Sequence, residues 1–295
     1  MTTAARDRWA EWLAERRFGG DPGVRADALA NLARTRDRVL DRAQLREGQI
    51  LLDVGCGEGL IGFGALERGA ASVIFSDVST DLLGFCREAA AELHVLDRCR
   101  FVEAAAEDIR PIEEDSVDVV TTRSVLIYVD DKERAFREFA RVLRPGGRIS
   151  LYEPINRFGS GERGHGSFAG YPADGLEAIA AKVRAVYEAI QPRDSDPMLD
   201  FDERDLIRLA EQAGFFPISL ELEAVVEPLP PRSWDGFLDT AWNPNVPTVR
   251  EAIEQVLTSD ERDRLTAHLQ PLVEQGAGVW RMASAFLAAT KPEAS

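Results

Sequence analysis

The chain has 295 residues, of which 45% are hydrophobic, and it carries a formal net charge of -16 at pH 7. This length and apolar content suffice for the core of one elaborated domain. The acidic balance argues against nucleic acid and anionic membrane surfaces as partners, because phosphate groups are bound by clustered Lys and Arg side chains.

Cysteine spacing and the lack of long apolar segments indicate where the protein works. Cys56, Cys86 and Cys99 lie at wide, irregular spacings, which fit neither a disulfide framework nor a set of metal ligands. The N-terminal residues 1–17 are charged and lack the apolar run of a signal peptide. No stretch approaches the roughly 20 consecutive apolar residues of a membrane span. We therefore expect a cytoplasmic protein with no metal site and no membrane partner.

Two helices are predicted ahead of the first strand. Residues 4–17 place Trp9 and Leu13 on one helical face, and a second helical pattern covers residues 24–45. Apolar residues at such spacings mark the buried stripe of an amphipathic helix. We predict that residues 1–47 form an N-terminal helical cap packed ahead of the core.

From residue 50 onward, short apolar strands alternate with helical segments, which is typical of an α/β sheet. Short crossovers of this kind require parallel strands with right-handed connections. Five strands are predicted in this part of the chain, at residues 50–54, 72–76, 100–103, 117–121 and 148–152.

The alternation is interrupted twice in the second half of the chain. Residues 155–200 contain a Gly-rich loop and one helix, and residues 229–278 are mostly helical. The remaining patterns predict a sixth strand at residues 218–226 and a seventh at residues 279–289. We therefore predict one insertion after the fifth strand and another between the last two strands.

The stretch from Ile50 to Gly59 carries the first functional signal. An apolar strand ends at Asp53, and alternating glycines then lead into a helix. Glycine suits a tight turn that brings the backbone close to a ligand. The helix behind the turn directs free N–H groups and the positive end of its dipole toward that ligand. The pattern therefore predicts a cofactor cradle.

The glycines fit two cofactor patterns. Counted from Gly57 they match G-x-G-x-x-G of dinucleotide-binding folds, and counted from Gly55 they match G-x-G-x-G preceded by an acid. Both patterns expect a second acid for ribose hydroxyls after the next strand, where Asp77 stands. Asp53 distinguishes them, because a carboxylate at the entrance would repel a pyrophosphate and attract a cationic ligand.

The order acid, G-x-G-x-G, acid resembles that of the class I S-adenosylmethionine-dependent methyltransferases. The resemblance covers about residues 50–154 and 202–228, and L-R-P-G-G at residues 143–147 also fits it. It implies a doubly wound, Rossmann-like seven-stranded sheet whose last strand is antiparallel. It further implies S-adenosylmethionine as cofactor and S-adenosylhomocysteine as product.

The resemblance also implies roles for individual residues at the cofactor site. Asp53 would face the methionine end of the cofactor, directly or through water. The turn of Gly55, Cys56 and Gly57 would leave room for that end to pass. Other implied contacts are Asp77 with the ribose, Val78 with the adenine ring, Ala106 or Glu107 with the adenine amino edge, and Arg123 and Ser124 with the methyl-transfer site.

A small organic acceptor is the predicted partner. Residues 1–47, 155–200 and 229–278 would together roof the cofactor as an acceptor-side lid. A base is needed only when the acceptor must lose a proton, and Glu153, His165 and Tyr171 are the candidates for that base or for acceptor binding. Two alternatives stay open: a non-catalytic S-adenosylmethionine-binding module and an NAD-dependent dehydrogenase. The pattern does not predict the acceptor or the oligomeric state.

Overall fold

The computed structural model describes residues 6–19, 22–161 and 166–293. The chain divides into two compact units. The sheet unit comprises Ala30–Ile155, Phe201–Glu223 and Ser284–Ser295, and the insert unit comprises Met1–Leu29, Asn156–Asp200 and Ala224–Ala283.

The central element is a seven-stranded sheet with the strand order β3-β2-β1-β4-β5-β7-β6. Strands β1 to β5 are parallel, and β7 runs antiparallel to β5. The predicted doubly wound sheet with an antiparallel last strand is therefore confirmed. The strands are β1 (Ile50–Val54), β2 (Ser72–Asp77), β3 (Cys99–Glu103), β4 (Val117–Arg123), β5 (Leu143–Pro154), β6 (Ile218–Pro228) and β7 (Val279–Thr290).

Helices connect these strands and fill the insertions. In chain order they are α1 (Arg8–Glu11), α2 (Pro22–Arg42), α3 (Leu60–Glu67), α4 (Thr80–Glu92), α5 (Lys132–Val142), α6 (Asn156–Gly161), α7 (Glu177–Ile190), α8 (Glu203–Gln212), α9 (Trp234–Leu238), α10 (Val249–Val256) and α11 (Ser259–Gln275). A π-helical turn, Trp12–Arg16, follows α1 directly. Strand β5 begins at Leu143 rather than at residue 148, because Leu143 already pairs with Val117 ahead of a shift in register.

Each unit has its own hydrophobic core. In the sheet unit, Leu40 of α2 and Ile61 of α3 pack with Phe75 of β2 in one cluster of buried side chains. Strands β1 and β2 are buried along nearly their whole length, as expected for parallel strands covered by helices. In the insert unit, Tyr171 and Phe237 belong to a separate cluster that also draws on α7, α10 and α11.

The unit boundaries differ from the predicted ones mainly at the N-terminus. The predicted cap of residues 1–47 is divided, because the chain from residue 30 onward belongs to the sheet unit. There Val39, Leu40 and Ala43 are fully buried against the strands. The other two predicted insertions fall within the insert unit. That these segments act as an acceptor-side lid stays a prediction.

Strand β6 lies at one edge of the sheet and is largely exposed. Two arginines of α2 reach its carboxylates: Arg38 pairs with Glu221 and Glu223, and Arg42 pairs with Glu221. These contacts connect α2 to the edge strand within the sheet unit. The described part of the chain contains no helix that is both long and apolar enough to cross a membrane.

Candidate active site

The turn between β1 and α3 is built from glycines in left-handed conformations. Gly55, Gly57 and Gly59 have φ values of 63°, 55° and 82°, which residues with a Cβ atom rarely adopt. A Cβ atom on Gly55 would lie 2.4 Å from Cγ2 of Val125, whereas one on Gly57 would meet nothing within 4 Å. The turn therefore packs tightly against the protein at Gly55 and faces open space at Gly57.

Cys56 directs its side chain into the protein. Its backbone N–H donates to the carbonyl of Ser76, 2.9 Å away, which ties the turn to β2. The thiol is buried, and a hydrogen bond with Cys86 together with burial raises its pKa. Cys86 in turn donates to the carbonyl of Gly57 at 3.2 Å. Cys56 therefore contributes its backbone to the turn while its side chain is buried. Its contact with a cofactor stays a prediction.

Asp53 is enclosed by the protein and shapes the turn from behind. Only 1% of its surface is exposed. Its Oδ2 accepts a hydrogen bond from the N–H of Gly62 at 3.0 Å, and its Oδ1 accepts one from the hydroxyl of Thr121 at 3.1 Å. Burial raises the pKa of Asp53 to about 7, although these two hydrogen bonds and the charge of Arg123 oppose the rise. Its influence on a ligand would therefore act mainly through charge.

Asp77 is brought to the glycine turn, although it lies 20 residues further along the chain. Its Oδ2 accepts a hydrogen bond from the N–H of Gly57 at 2.9 Å, and its Oδ1 accepts one from the N–H of Ser79 at 3.0 Å. The next residue, Val78, leaves 49% of its surface exposed. An acid and an exposed apolar side chain therefore stand side by side at the end of β2, as a ribose and an adenine ring would require.

The segment after β3 is anchored beside Asp77. The N–H of Ala104 donates to the carbonyl of Asp77 at 3.0 Å. Ala106 is buried, while Glu107 is partly exposed. The segment therefore lies at the predicted cofactor edge, and its contact with the adenine amino group stays a prediction.

The end of β4 carries Arg123 and Ser124. Arg123 is partly exposed, and burial lowers its pKa while the charge of Asp53 opposes the change. Ser124 has a left-handed φ of 59° and donates its N–H to the carbonyl of Tyr152 at 2.8 Å. The backbone therefore turns sharply at the carboxyl end of the sheet, where open α/β folds bind ligands.

Glu153 holds the turn after β4. It has 0% exposure, and its Oε1 accepts hydrogen bonds from the hydroxyl of Thr122 at 2.9 Å and from the N–H of Val125 at 3.1 Å. Its Oε2 is buried and has no hydrogen-bond partner among the described residues. Burial raises the pKa of Glu153 to about 7. The observed contacts make it a positioning residue, and its role as a base stays a prediction.

Two further residues were candidates for acceptor chemistry. His165 lies outside the described residues. Tyr171, a further aromatic candidate, is buried in the insert unit, where its ring packs edge-on against Phe237 with centroids 5.7 Å apart. Across residues 6–19, 22–161 and 166–293, no group of three His, Cys, Asp or Glu side chains is arranged to hold a metal ion.

Sequence reasoning missed three residues that shape the site. Thr121 and Thr122 bind the two buried acids from successive positions of β4, and Val125 packs against Gly55. Two adjacent threonines directly after the apolar pair of valines at residues 119–120 were an available signal, because buried hydroxyls require partners. No comparable signal marks Val125, since its contact with Gly55 joins distant parts of the chain.

Because both buried acids have raised pKa values, we expect the ligand-free protein to lose stability as pH rises from about 4 to about 7. Folding shifts the pKa of Asp53 from 3.8 to about 7 and the pKa of Glu153 from 4.5 to about 7. The folded state therefore binds more protons than the unfolded state across this range, and stability levels off once both acids are ionised, above about pH 7. Urea unfolding at about pH 6 and about pH 8 should differ by roughly 2 kcal/mol.

The variants Asp53→Asn and Glu153→Gln provide the control for this pH dependence. Each amide keeps the size of the side chain but has no proton to lose. Each variant should therefore flatten part of the stability profile. Profiles as steep as that of the wild type in both variants would contradict the assignment.

Comparison with known proteins places the geometry in context. A family model described as "Methyltransferase domain" matches residues 52–151. The ubiquinone/menaquinone biosynthesis C-methyltransferase UbiE of Hahella chejuensis is 30% identical over 183 residues, covering 60% of this chain and 70% of that protein. UbiE of Cronobacter sakazakii is 31% identical over 128 residues, covering 40% of this chain and 51% of that protein. The chain spans about half the length of most curated relatives that it matches.

Solved structures support the same fold at lower identity. The YcgJ protein of Bacillus subtilis has a TM-score of 0.55 at 17% identity, covering 88% of this chain and 99% of that chain. A geranyl diphosphate methyltransferase in complex with S-adenosylmethionine has a TM-score of 0.53 at 19% identity, covering 98% and 96%. A third similar structure, with a TM-score of 0.52 at 22% identity, covers 89% and 82% and is the [4+2]-cyclase SpnF. At these identities the likeness concerns the fold alone.

Proposed function

The chain belongs to the class I S-adenosylmethionine-dependent methyltransferases, and from this premise we propose that it transfers a methyl group from that cofactor to a small organic acceptor. The hydrogen bond between Asp77 and the N–H of Gly57 is the observation that carries the proposal. It joins the second acid to the glycine turn, so that both elements of the cofactor pattern meet at one edge of the sheet.

The residues at this edge fit the cofactor. Gly57 leaves open space beside the turn, and Val78 offers an exposed apolar surface next to Asp77. The negative charge of Asp53 suits a ligand with an ammonium and a sulfonium group. When bound, S-adenosylmethionine supplies an activated methyl group, so the protein needs no nucleophile of its own.

The proposed contribution of the protein is to position the acceptor and exclude water. A near-attack geometry lowers a barrier by up to about 7–11 kcal/mol in the best cases. Where the acceptor must lose a proton, Glu153 and His165 are the side chains that we propose to receive it. Since Oε1 of Glu153 binds the loop after β4, Oε2 is the oxygen left to accept a proton.

The acceptor that we propose is a small molecule rather than a nucleic acid, because the net charge of -16 disfavours phosphate backbones. We propose acceptor recognition as the role of residues 155–200 and 229–278, and the cytoplasm as the compartment. Two of the similar proteins are named for ubiquinone/menaquinone biosynthesis and for geranyl diphosphate, and these names support a small acceptor without identifying it.

Calorimetry and a transfer assay test the proposal. S-adenosylmethionine and S-adenosylhomocysteine should bind in the micromolar range, and NAD should not bind. Incubation with methyl-labelled cofactor and a metabolite extract should give a labelled small molecule. Tighter binding of NAD would overturn the cofactor, while tight cofactor binding with no labelled product would favour a non-catalytic module.

A further inference from the structure

Arg123 is the one arginine among the described residues assigned above to the candidate active site, and its guanidinium group has no partner within the described chain. It forms neither a hydrogen bond nor an ion pair with any residue that the structure describes. Arg148, at the opposite end of the same sheet, donates to the carbonyl of Ala43 at 2.8 Å and to Oε1 of Gln49 at 3.0 Å. A guanidinium carries five N–H donors, and those of Arg123 are therefore available to a ligand.

Two of the acids near Arg123 already accept hydrogen bonds from other residues. The charge of Asp53 opposes the lowering of the pKa of Arg123 most strongly, ahead of Tyr152, Glu153 and Glu58. The oxygens of Asp53 accept hydrogen bonds from Gly62 and Thr121, and Oε1 of Glu153 accepts from Thr122 and the loop backbone. The nearby negative charges therefore favour the charged form of Arg123, while its N–H donors stay available to a ligand.

Arg123 also stands beside Asp53 on the sheet. Asp53 pairs with Thr121 in the register between β1 and β4, and Arg123 lies two residues beyond Thr121. Because side chains alternate along a strand, Thr121 and Arg123 emerge on the same face as Asp53. A buried acid and a partly exposed arginine thus lie on one face of the sheet without an ion pair between them. The guanidinium group of Arg123 complements a ligand that carries a carboxylate, with or without a neighbouring ammonium group.

We propose that Arg123 binds a ligand carboxylate at the methyl-transfer edge of the sheet. This inference rests on the proposed function, since it takes the glycine turn to be the cofactor site. The carboxylate has two sources: the amino-acid end of S-adenosylmethionine, or the acceptor, which would then be an organic acid. A guanidinium can hold a carboxylate through two parallel hydrogen bonds, which fixes orientation as well as charge.

The first experiment compares S-adenosylmethionine with decarboxylated S-adenosylmethionine by calorimetry. If the cofactor is the source, Arg123→Gln should weaken binding of S-adenosylmethionine by about 10- to 100-fold and leave the decarboxylated ligand unchanged. Arg123→Lys keeps the charge without the planar pair of donors, so it should lose less. Arg148→Gln makes the same chemical change at the far end of the sheet and should alter neither affinity.

The second experiment applies if Arg123→Gln leaves both affinities unchanged. Benzoate and acetate are titrated into protein saturated with S-adenosylhomocysteine, and the side-chain NMR signal of Arg123 is followed in isotope-labelled protein. The signal is assigned by its loss in Arg123→Lys. A saturable shift with either carboxylate would assign the acceptor as the source.

The inference is overturned if the affinities are unchanged and no carboxylate shifts the Arg123 signal. In that case Arg123 serves only to balance the charge of Asp53 and Glu153. Failure of the proposed function is distinct, because the wild-type protein would then bind neither form of the cofactor. The carboxylate titration on cofactor-free protein still tests Arg123 in that event. Thermal unfolding of each variant shows whether it is folded.

Discussion

Replacement of Asp77 by alanine is expected to weaken binding of S-adenosylhomocysteine by about 10- to 150-fold, which corresponds to roughly 1.5–3 kcal/mol for one charge-assisted hydrogen bond. The carboxylate holds the N–H of Gly57 at 2.9 Å and that of Ser79 at 3.0 Å. Its loss removes a fixed point of the glycine turn together with the proposed acceptor for the ribose hydroxyls. Calorimetry measures the change directly.

Two variants separate ligand binding from stability. Asp77→Asn keeps an oxygen that can accept a backbone hydrogen bond, so it should fall between the wild type and alanine. Asp118 is the matched control, because its Oδ2 accepts the N–H of Ile50 at 2.7 Å. Asp118→Ala should lower stability and leave affinity unchanged. Normal binding by Asp77→Ala would contradict the assignment of the glycines from Gly55 onward to the G-x-G-x-G pattern.

Gly55→Ala should lower the free energy of unfolding by about 2–5 kcal/mol, the second large effect. The left-handed φ of 63° costs a residue with a Cβ atom about 1–2 kcal/mol. The new methyl group would also lie 2.4 Å from Cγ2 of Val125, and overpacking of this kind costs about 1–3 kcal/mol. Urea unfolding of the ligand-free protein measures the loss.

Gly57→Ala is the matched control for the clash at Gly55. Its φ of 55° is nearly the same, but its Cβ atom would meet nothing, so only the backbone strain of about 1–2 kcal/mol applies. Adding Val125→Ala to Gly55→Ala should recover part of the stability, since the contacting methyl group is removed. Equal losses at the two glycines would refute the steric explanation.

Local sequence patterns predicted most of the fold. Apolar runs at residues 50–54 and 72–76 predicted two buried strands, with Asp53 near the end of the first and Asp77 directly after the second. The structure pairs these two strands in parallel. The glycine turn was predicted because glycine suits a tight turn, and the structure has left-handed backbone at Gly55, Gly57 and Gly59, which glycine adopts readily. Features that depend on neighbours in the chain were therefore accessible without a structure.

Features that depend on contacts between distant parts of the chain could not be predicted from the sequence. Asp53 was expected to face the methionine end of the cofactor, directly or through water, and that contact stays a prediction; its hydrogen bonds with the N–H of Gly62 and the hydroxyl of Thr121 had no signal in the sequence. Glu153 was a candidate base, which also stays a prediction; its hydrogen bond with the loop after β4 had no signal in the sequence either. In both cases the strand position was right, and the direction of the side chain depended on partners from other elements.

The edge strand β6 has a consequence for encounters between molecules. Beyond β6 the sheet has no further strand within the described chain, and an open edge of this kind can pair with a strand of another molecule. Glu221 and Glu223 flank the exposed Leu222 and stay more than half exposed even when paired with Arg38. Their carboxylates would repel the same edge of a second copy. The residues that anchor α2 thus also protect the sheet from growing by strand addition.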